Sequence, residues 1–342
     1  MPWSEIQGQE HAVRLLRSAF ERGQPHHAYL LAGPEGVGKE LLARLVAQAA
    51  NCENDEVRQR PCGTCDHCKG IARGNFPDVM RVMPQHELIA RGLIAKSDLE
   101  GAPSREIRVD DVRALARRLS FAPLRGRRKI AIVVPAEALN ERAQNTLLKT
   151  LEEPPPSTTF LLVSSQPDLL LPTIRSRCAR VQLQPLPESM LIDRLIAEGV
   201  PLAEAQGRAA RAQGSLSRAL TVGAGRKELL EAVERALDAP DERDLLALAE
   251  EHGERDLAAE LADAVRAWTR DLLVAQAGAP AEQLESRDLL PLAVAVSARV
   301  PAISLFAQAK LCQQVLEALE QNGNARLQLE RLLLGARELR HV

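Results

Sequence analysis

Residues 33–40 read Gly33-Pro34-Glu35-Gly36-Val37-Gly38-Lys39-Glu40, which matches the pattern G-x-x-x-x-G-K. An apolar run at 28–32 precedes this stretch, and a helical pattern at 41–50 follows it. In that context the glycines let backbone N–H groups surround a phosphate, and the lysine reaches the β- and γ-phosphates. The stretch therefore predicts a phosphate-binding loop in an α/β domain. Its nucleotide-binding residues would be Gly33, Gly36, Gly38 and Lys39.

Glu40, the residue after the lysine, departs from the pattern of a working ATP site. A working site has a serine or threonine hydroxyl there as a magnesium ligand. A carboxylate about 4 Å from a phosphate charge is repelled by roughly 4 kcal/mol at an effective dielectric of 20. We therefore expect ATP binding to be weak or absent unless Glu40 itself coordinates the metal. The alternative is a loop kept only as an element of the fold.

Three further apolar runs alternate with helical patterns in the first half of the chain. These runs lie at 78–83, 129–134 and 159–163. Strands that alternate with helices predict a parallel sheet covered by helices on both faces. Residues 87–104 show no period and are predicted to form a loop. Beyond Pro187 only helical patterns remain, so the second half is predicted to be helical.

Four of the six cysteines lie close together in the sequence. They are Cys52, Cys62, Cys65 and Cys68, spaced C-x9-C-x2-C-x2-C. Four thiolates suit tetrahedral Zn²⁺, and in a cytoplasmic chain such clustering favours a metal over disulfides. An iron–sulfur cluster uses the same ligands, and His67 is a rival ligand. We predict a structural zinc site, which leaves no open coordination position for catalysis.

Charge and hydropathy limit the classes of function. The formal net charge is -2, and a stand-alone nucleic-acid binder with a zinc module would usually carry a large basic excess. The basic run at 125–129 could contact phosphates or could be a solvated loop. No apolar stretch reaches membrane-spanning length, and the acidic N-terminus argues against a signal peptide. We therefore expect a cytoplasmic protein without a membrane partner.

Several other segments form a signature in combination. They are Gly8-Gln9, His27-Ala28-Tyr29-Leu30, residues 145–155, Ser176-Arg177-Cys178, residues 214–220 and residues 322–334. Together with the phosphate-binding loop and the cysteines, they resemble the clamp-loader branch of the AAA+ proteins over the whole chain. The resemblance implies an α/β AAA+ P-loop domain at 1–180 with a zinc module at 52–68, a small helical lid domain at 181–225 and an all-helical C-terminal collar domain at 226–342.

The resemblance identifies two more chemical positions at the end of the run 129–134. ATP-hydrolysing members carry an aspartate there that binds Mg²⁺ and a glutamate that orients the attacking water. Val134 and Pro135 occupy these positions and can do neither. Glu137 lies two residues later and is expected to point elsewhere. We therefore predict that this chain does not hydrolyse ATP by itself.

The same departures indicate a type of subunit within the branch. Motor subunits, tau and gamma in bacteria, keep the magnesium hydroxyl and both carboxylates, whereas this chain resembles the delta-prime subunits of DNA polymerase III. The resemblance implies a non-catalytic subunit of the polymerase holoenzyme, a stator in a hetero-oligomeric ring with tau/gamma and delta. This ring loads the sliding clamp onto primer–template DNA during replication. The alternative is an ATP-hydrolysing motor subunit of tau/gamma type.

Arg177 is the residue to which the resemblance gives a catalytic role. In this family the arginine of Ser-Arg-Cys reaches the γ-phosphate that the neighbouring subunit binds. A rigid, permanently charged guanidinium offsets charge on the transferring phosphoryl group. We therefore expect Arg177 to act as an arginine finger in trans. The alternative is a surface arginine that pairs with an acidic residue.

Overall fold

The computed structural model of the chain describes residues 2–99, 101–221, 226–239, 241–280, 283–320 and 323–340. The chain divides after Pro187 into two compact units. Gly225 at the end of the predicted lid, Asn322 of the C-terminal signature and Val342 at the end of the predicted collar lie outside the described residues. The lid and collar boundaries stay a prediction.

A parallel five-stranded sheet with the strand order β2-β3-β4-β1-β5 forms the centre of the first unit. Four strands lie where apolar runs predict them: β1 (Ala28–Ala32), β2 (Val79–Val82), β3 (Lys129–Val133) and β4 (Thr158–Ser164). An additional strand, β5 (Ala179–Gln182), pairs with β1 at the edge of the sheet. The predicted α/β architecture is confirmed.

Helices cover both faces of this sheet. They are α1 (Glu10–Glu21), α2 (Lys39–Asn51), α3 (Asp66–Ala72), α4 (Gln85–Ala90), α5 (Val109–Leu119), α6 (Glu141–Glu152) and α7 (Pro172–Arg175). Because strand side chains alternate, Leu31 faces a core that includes α1 and α2, whereas Leu30 faces a core that includes α5 and α6. Burial of each such leucine contributes about 1.5–3 kcal/mol. Helix α4 shows that the predicted loop at 87–104 is wrong over residues 87–90.

The parallel direction of the strands determines which segments meet. The phosphate-binding loop follows β1, Val134 and Pro135 follow β3, and Ser165 follows β4. These segments therefore lie at the carboxyl edge of the sheet, where open α/β folds bind their ligands. Arg177 precedes β5 and therefore lies at the amino edge of the sheet, where the parallel strands begin.

The second unit, residues 188–342, contains helices and their connections in its described residues. Its helices are α8 (Glu188–Ala197), α9 (Leu202–Ala212), α10 (Leu216–Thr221), α11 (Arg226–Asp238), α12 (Arg243–Glu251), α13 (Arg255–Gln276), α14 (Leu290–Ser297), α15 (Ala302–Glu320) and α16 (Ala325–Arg340). Among the described residues, no helix taken singly could cross a bilayer, although α14 and residues 302–319, bent by 117°, meet the length and composition criteria as a pair.

A buried ion pair ties the last helix of this unit to α11. Arg340 Nη1 and Nη2 lie 2.6 and 2.8 Å from the carboxylate oxygens of Glu234, and Trp268 Nε1 donates to the same carboxylate at 2.6 Å. The two charged side chains are 4% and 5% exposed. Removal of one partner would therefore leave the other charge buried and unpaired.

We expect Arg340→Ala to lower the free energy of unfolding of the second unit by about 3–5 kcal/mol. The matched control is Arg299→Ala, because Arg299 pairs with Asp238 at an exposed position and such pairs contribute about 0–1 kcal/mol. Urea unfolding followed by circular dichroism measures both. An equal decrease in the free energy of unfolding in the two variants would show that the buried ion pair stabilises the unit no more than the exposed pair does.

Candidate functional site

Lys39 of the phosphate-binding loop is folded against its own loop. Its Nζ donates to the carbonyl oxygens of Gly33 and Pro34 at 2.6 and 2.5 Å, and the side chain is buried. Burial lowers the pKa of Lys39, while the negative charges of Glu137 and Glu35 oppose that shift. The ammonium group thus satisfies two of its three donors within the loop.

The loop is fixed by close packing against the chain that follows β5. A Cβ atom on Gly33 would lie 2.6 Å from the carbonyl oxygen of Leu183, so only glycine fits. Gln9 Nε2 donates to the carbonyl oxygens of Val37 and Gln184, at 3.4 and 2.7 Å. Gln9 of the Gly-Gln segment thus joins the loop to the chain after β5.

Glu40, at the magnesium-ligand position, is engaged by arginines. Its Oε1 accepts a hydrogen bond from Arg91 Nη1 at 2.7 Å and lies 3.8 Å from Arg81 Nη1. The hydrogen bond with Glu40 raises the pKa of Arg91, and Glu87 also accepts from Arg91 at 3.1 Å. The carboxylate is therefore compensated within the chain and is poorly placed to coordinate a metal.

The residues at the end of β3 carry no metal-binding side chain. Val134 N donates to the carbonyl oxygen of Val82 at 3.0 Å, and the Val134 side chain is buried in the core. Pro135 follows it with a side chain that has no polar atom. Neither residue can hold Mg²⁺ or orient a water molecule.

Glu137 does not point away from this edge, and the expectation that it would is wrong. A 3-10 turn at Ala136–Ala138 brings the carboxylate to the end of β4, where it accepts from Ser165 N at 2.9 Å and Ser165 Oγ at 2.5 Å. Burial alone would raise the pKa of Glu137, but the hydrogen bonds from Ser165 hold the pKa below its ordinary value. A charged carboxylate thus faces the loop lysine from a position that the linear spacing did not indicate.

The four predicted cysteines come together in the first unit. Their Sγ atoms all lie within 4.8 Å of one another. A Zn–S bond of about 2.3 Å places the sulfurs of a tetrahedral site about 3.8 Å apart, so the observed spacing is close to that of a metal site. The backbone N–H groups of Cys62, Cys65 and Cys68 point at the Sγ atoms of Cys52, Cys62 and Cys65, each at 3.4 Å. The cluster can hold one metal ion.

The cysteines of the cluster differ in their pKa values, and the neighbouring histidine is engaged elsewhere. Burial alone raises the pKa of Cys62, but the backbone N–H groups of Cys65 and Thr64 lower it to about 6. Burial raises the pKa of Cys52 and of Cys68 above the ordinary value. His67 Nδ1 lies 2.8 Å from the Asn51 carbonyl oxygen, and its Nε2 lies 3.5 Å from Glu53. Both ring nitrogens are engaged outside the cluster, which argues against the rival ligand.

Arg177 lies between α7 and β5 and pairs with a residue of its own chain. Its Nη2 lies 2.6 Å from Glu152 Oε1, and its Nη1 donates to the carbonyl oxygen of Thr173 at 3.0 Å. The side chains of Arg177 and Glu152 are 37% and 48% exposed. Cys178 is buried in the core, and burial raises its pKa to about 12, so its thiol is an apolar packing group.

The position of Arg177 excludes contact with the phosphate-binding loop of the same chain. Ala179 pairs with Tyr29 near the start of β1, and the loop begins after Ala32 at its end. Three strand rises of about 3.3 Å separate these positions. Burial lowers the pKa of His27, just before β1, and the backbone carbonyl of Arg177 opposes that shift. Both observations place Arg177 at the amino edge of the sheet.

Comparison with known protein families shows the family of this chain. A family model described as "DNA polymerase III, delta subunit" matches residues 8–187, which is more than half of the chain. The chain belongs to this family. A second model, "DNA polymerase III, delta subunit, C terminal", matches residues 224–338 of the family member. The resemblance to the clamp-loader branch of the AAA+ proteins, in its delta-prime form, is confirmed.

Relatives of this family member include both types of subunit. The chain is 38% identical over 184 residues to DNA polymerase III subunit tau of Salmonella typhimurium, which is 54% of this chain but 26% of tau. It is 38% identical over 180 residues to subunit delta' of Pseudomonas aeruginosa, which is 53% of this chain and 49% of that protein. The chain thus spans half or less of these relatives.

A solved structure supports the fold over nearly the whole chain. A DNA polymerase III gamma subunit-related protein of Thermotoga maritima aligns with a TM-score of 0.53 and 19% identity, covering 96% of this chain and 99% of that one. At this identity the likeness concerns the fold alone.

Three residues of the site were not predicted from the sequence of this family member: Arg91, Glu152 and Ser165. Glu152 lies in the segment 145–155 that carries the resemblance, but the sequence did not indicate that it pairs with Arg177. Arg91 follows α4 in a segment without a helical period, and Ser165 follows β4, whose neighbouring strands only the sheet order defines.

Proposed function

We propose that this family member is a non-hydrolysing delta-prime-type subunit that completes the ATP site of a neighbouring motor subunit. One observation carries the proposal. The catalytic edge of its own sheet has Val134 and Pro135 where a motor subunit has carboxylates, and Arg177 lies at the other edge, away from its own loop. An arginine in a motor-type motif that lies far from its own phosphate-binding loop suits a site on another chain.

The ion pair between Arg177 and Glu152 supports this role, because it positions the guanidinium group and is weak enough to be exchanged for another partner. An exposed pair of this kind contributes only about 0–1 kcal/mol. A nucleotide phosphate on a neighbour carries more negative charge than one carboxylate and presents bidentate acceptors to arginine. The neighbour's phosphate can therefore displace Glu152 at little cost.

The proposed setting follows from the family. The subunit would assemble with tau/gamma motor subunits and delta in a hetero-oligomeric ring in the cytoplasm, and transiently contact the sliding clamp and primer–template DNA. Zn²⁺ would be held by Cys52, Cys62, Cys65 and Cys68 as a structural ion. Four thiolates fill a tetrahedral site and leave no position for a substrate.

A second candidate function is that of an ATP-hydrolysing motor subunit. The identity with tau and the carboxylate of Glu137 beside Lys39 favour it. Ser165 donates to that carboxylate from its N–H and hydroxyl groups. Because Glu137 is engaged in this way, we regard it as a structural acceptor at the end of β4.

Nucleotide binding separates the two candidates. We expect the purified chain to show no saturable binding of an ATP analogue below about 1 mM, with or without Mg²⁺. The physical reasons are the engagement of Lys39 within its own loop and the lack of a magnesium-ligand hydroxyl at position 40, where Glu40 is held by Arg91. Equilibrium titration with a fluorescent analogue measures this, with Lys39→Ala as the control for loop-specific signal. Tight, Mg²⁺-dependent binding that disappears in Lys39→Ala would favour the motor subunit.

A further inference from the structure

A cavity of about 230 Å³ opens in the first unit beside the zinc module, away from the phosphate-binding loop. Arg127 and Arg128 line it just before β3, and Gly23 and Pro25 line it just before β1, so it lies at the amino edge of the sheet. Its apolar wall includes the Trp3 side chain.

Positive charge dominates the lining of this cavity. Four arginines and one glutamate contribute, which leaves an excess of three positive charges; these are Arg17, Arg60, Arg127, Arg128 and Glu21. Arg17 pairs with Glu21 at 2.7 Å. Among the described residues, the Arg60 side chain donates to the backbone carbonyl oxygens of Asn54 and Asp55. Within the described parts of the chain, Arg127 and Arg128 form no ion pair.

Burial of a guanidinium group without an anionic partner is energetically unfavourable, and Arg128 is such a group. Nε of Arg128 is buried and has no hydrogen-bond partner among the described residues. Burial lowers the pKa of Arg128. A buried donor without an acceptor destabilises the folded chain, and more so when it is charged, so an anion bound here would stabilise the chain.

The backbone that carries these arginines is fixed in place. Asp78 accepts from the backbone N–H groups of Leu124, Arg125 and Gly126 at 2.8, 2.8 and 2.6 Å. Asn51 Oδ1 accepts from Arg128 N at 3.0 Å. A Cβ on Gly126 would lie 2.4 Å from that oxygen, so this turn requires glycine. The backbone of the loop at 124–128 is therefore held in one conformation before a ligand binds, which lowers the entropic cost of binding.

We propose that this cavity binds a phosphate-bearing ligand of small size. Arginine offers paired donors that match phosphate oxygens. The volume lies below the roughly 300–1,000 Å³ of sites for drug-sized molecules, so it would enclose one phosphoryl group and leave the rest of a nucleotide partly outside. The apolar wall and the guanidinium planes could also stack on a base. The phosphate would come either from the free ion or from a nucleotide.

Calorimetric titration of the full, metal-loaded chain tests this site. The chain carries Lys39→Ala, which removes the lysine of the phosphate-binding loop and so excludes binding through that lysine. The probes are inorganic phosphate and dAMP at low salt. We expect saturable binding that weakens at least tenfold in Arg127→Ala and in Arg128→Gln. The control Arg125→Ala should bind as the parent does, because Arg125 is exposed and does not line the cavity.

The two probes distinguish the sources of the phosphate. Tighter binding of dAMP would assign a nucleotide, and equal binding would assign the phosphoryl group alone. Absence of saturable binding for both probes overturns the proposal, as does binding that neither Arg127→Ala nor Arg128→Gln weakens. Binding of an acidic peptide in place of both probes would overturn it in favour of a protein partner. Arg127 is exposed, so its variant is expected to fold even if Arg128→Gln does not.

Discussion

Arg177→Ala should leave the chain folded and assembled with its motor and delta partners, but should lower the DNA-dependent ATP turnover of the complex. Loss of an arginine finger costs on the order of 10³ in the rate of the affected site. The other motor sites keep their own neighbours, so total turnover should fall only in part. Clamp loading should fall further, because it needs coordinated sites. Reconstitution with primed DNA and clamp measures both rates.

Two variants serve as controls for this experiment. Arg175 lies at the end of α7, is 33% exposed and pairs with Asp168, so Arg175→Ala removes a similar charge and should keep full turnover. Glu152→Gln removes the resting partner of Arg177 and should also keep turnover, since the finger remains. Unchanged rates in Arg177→Ala would reduce that residue to a surface charge. Failure to assemble would make it an interface anchor instead.

Cys65→Ser should release the metal and loosen the segment from Cys52 to Cys68. Structural zinc contributes about 10–16 kcal/mol to the folding of isolated zinc fingers. Here Gln48 also holds the module, because its Nε2 donates to the Cys68 carbonyl oxygen at 2.8 Å. We therefore expect local loosening, seen as new protease cleavage at 52–68, rather than unfolding of the unit.

Elemental analysis of the purified chain should find one zinc per chain, and none in Cys65→Ser. Cys312→Ser is the matched control, because Cys312 is buried in the helical unit and outside the cluster; it should keep the metal. Iron in place of zinc, or no metal in freshly reduced protein, would contradict the prediction.

The sequence predicted the centre of the fold well, because its strands are buried on both faces. The apolar run at 28–32 has the same bounds as β1, and the run at 129–134 exceeds β3 by one residue. The strand β5 was missed because it is a four-residue edge strand with two exposed positions, Arg180 and Gln182, so it forms no apolar run.

The chemistry of the site could be predicted only where residue type and spacing along the chain are sufficient to define it. Cys52, Cys62, Cys65 and Cys68 were recognised by their spacing, and the structure brings them together. The partners of Glu40 and Arg177 were not predictable, since Arg91 is 51 residues from Glu40 in the chain. Glu137 was misjudged because a 3-10 turn after β3 brings its carboxylate to Ser165 at the end of β4, which the linear spacing does not indicate. Contacts of this kind depend on the packing of several elements at once.

The central claim is that this chain lacks its own hydrolytic chemistry and supplies Arg177 to a neighbour. The most direct measurement is ATP turnover by the purified chain, alone and mixed with tau/gamma and delta subunits. We expect no turnover above background for the chain alone, and a rise in turnover of the mixture that depends on Arg177. Turnover by the isolated chain that disappears in Lys39→Ala would contradict it.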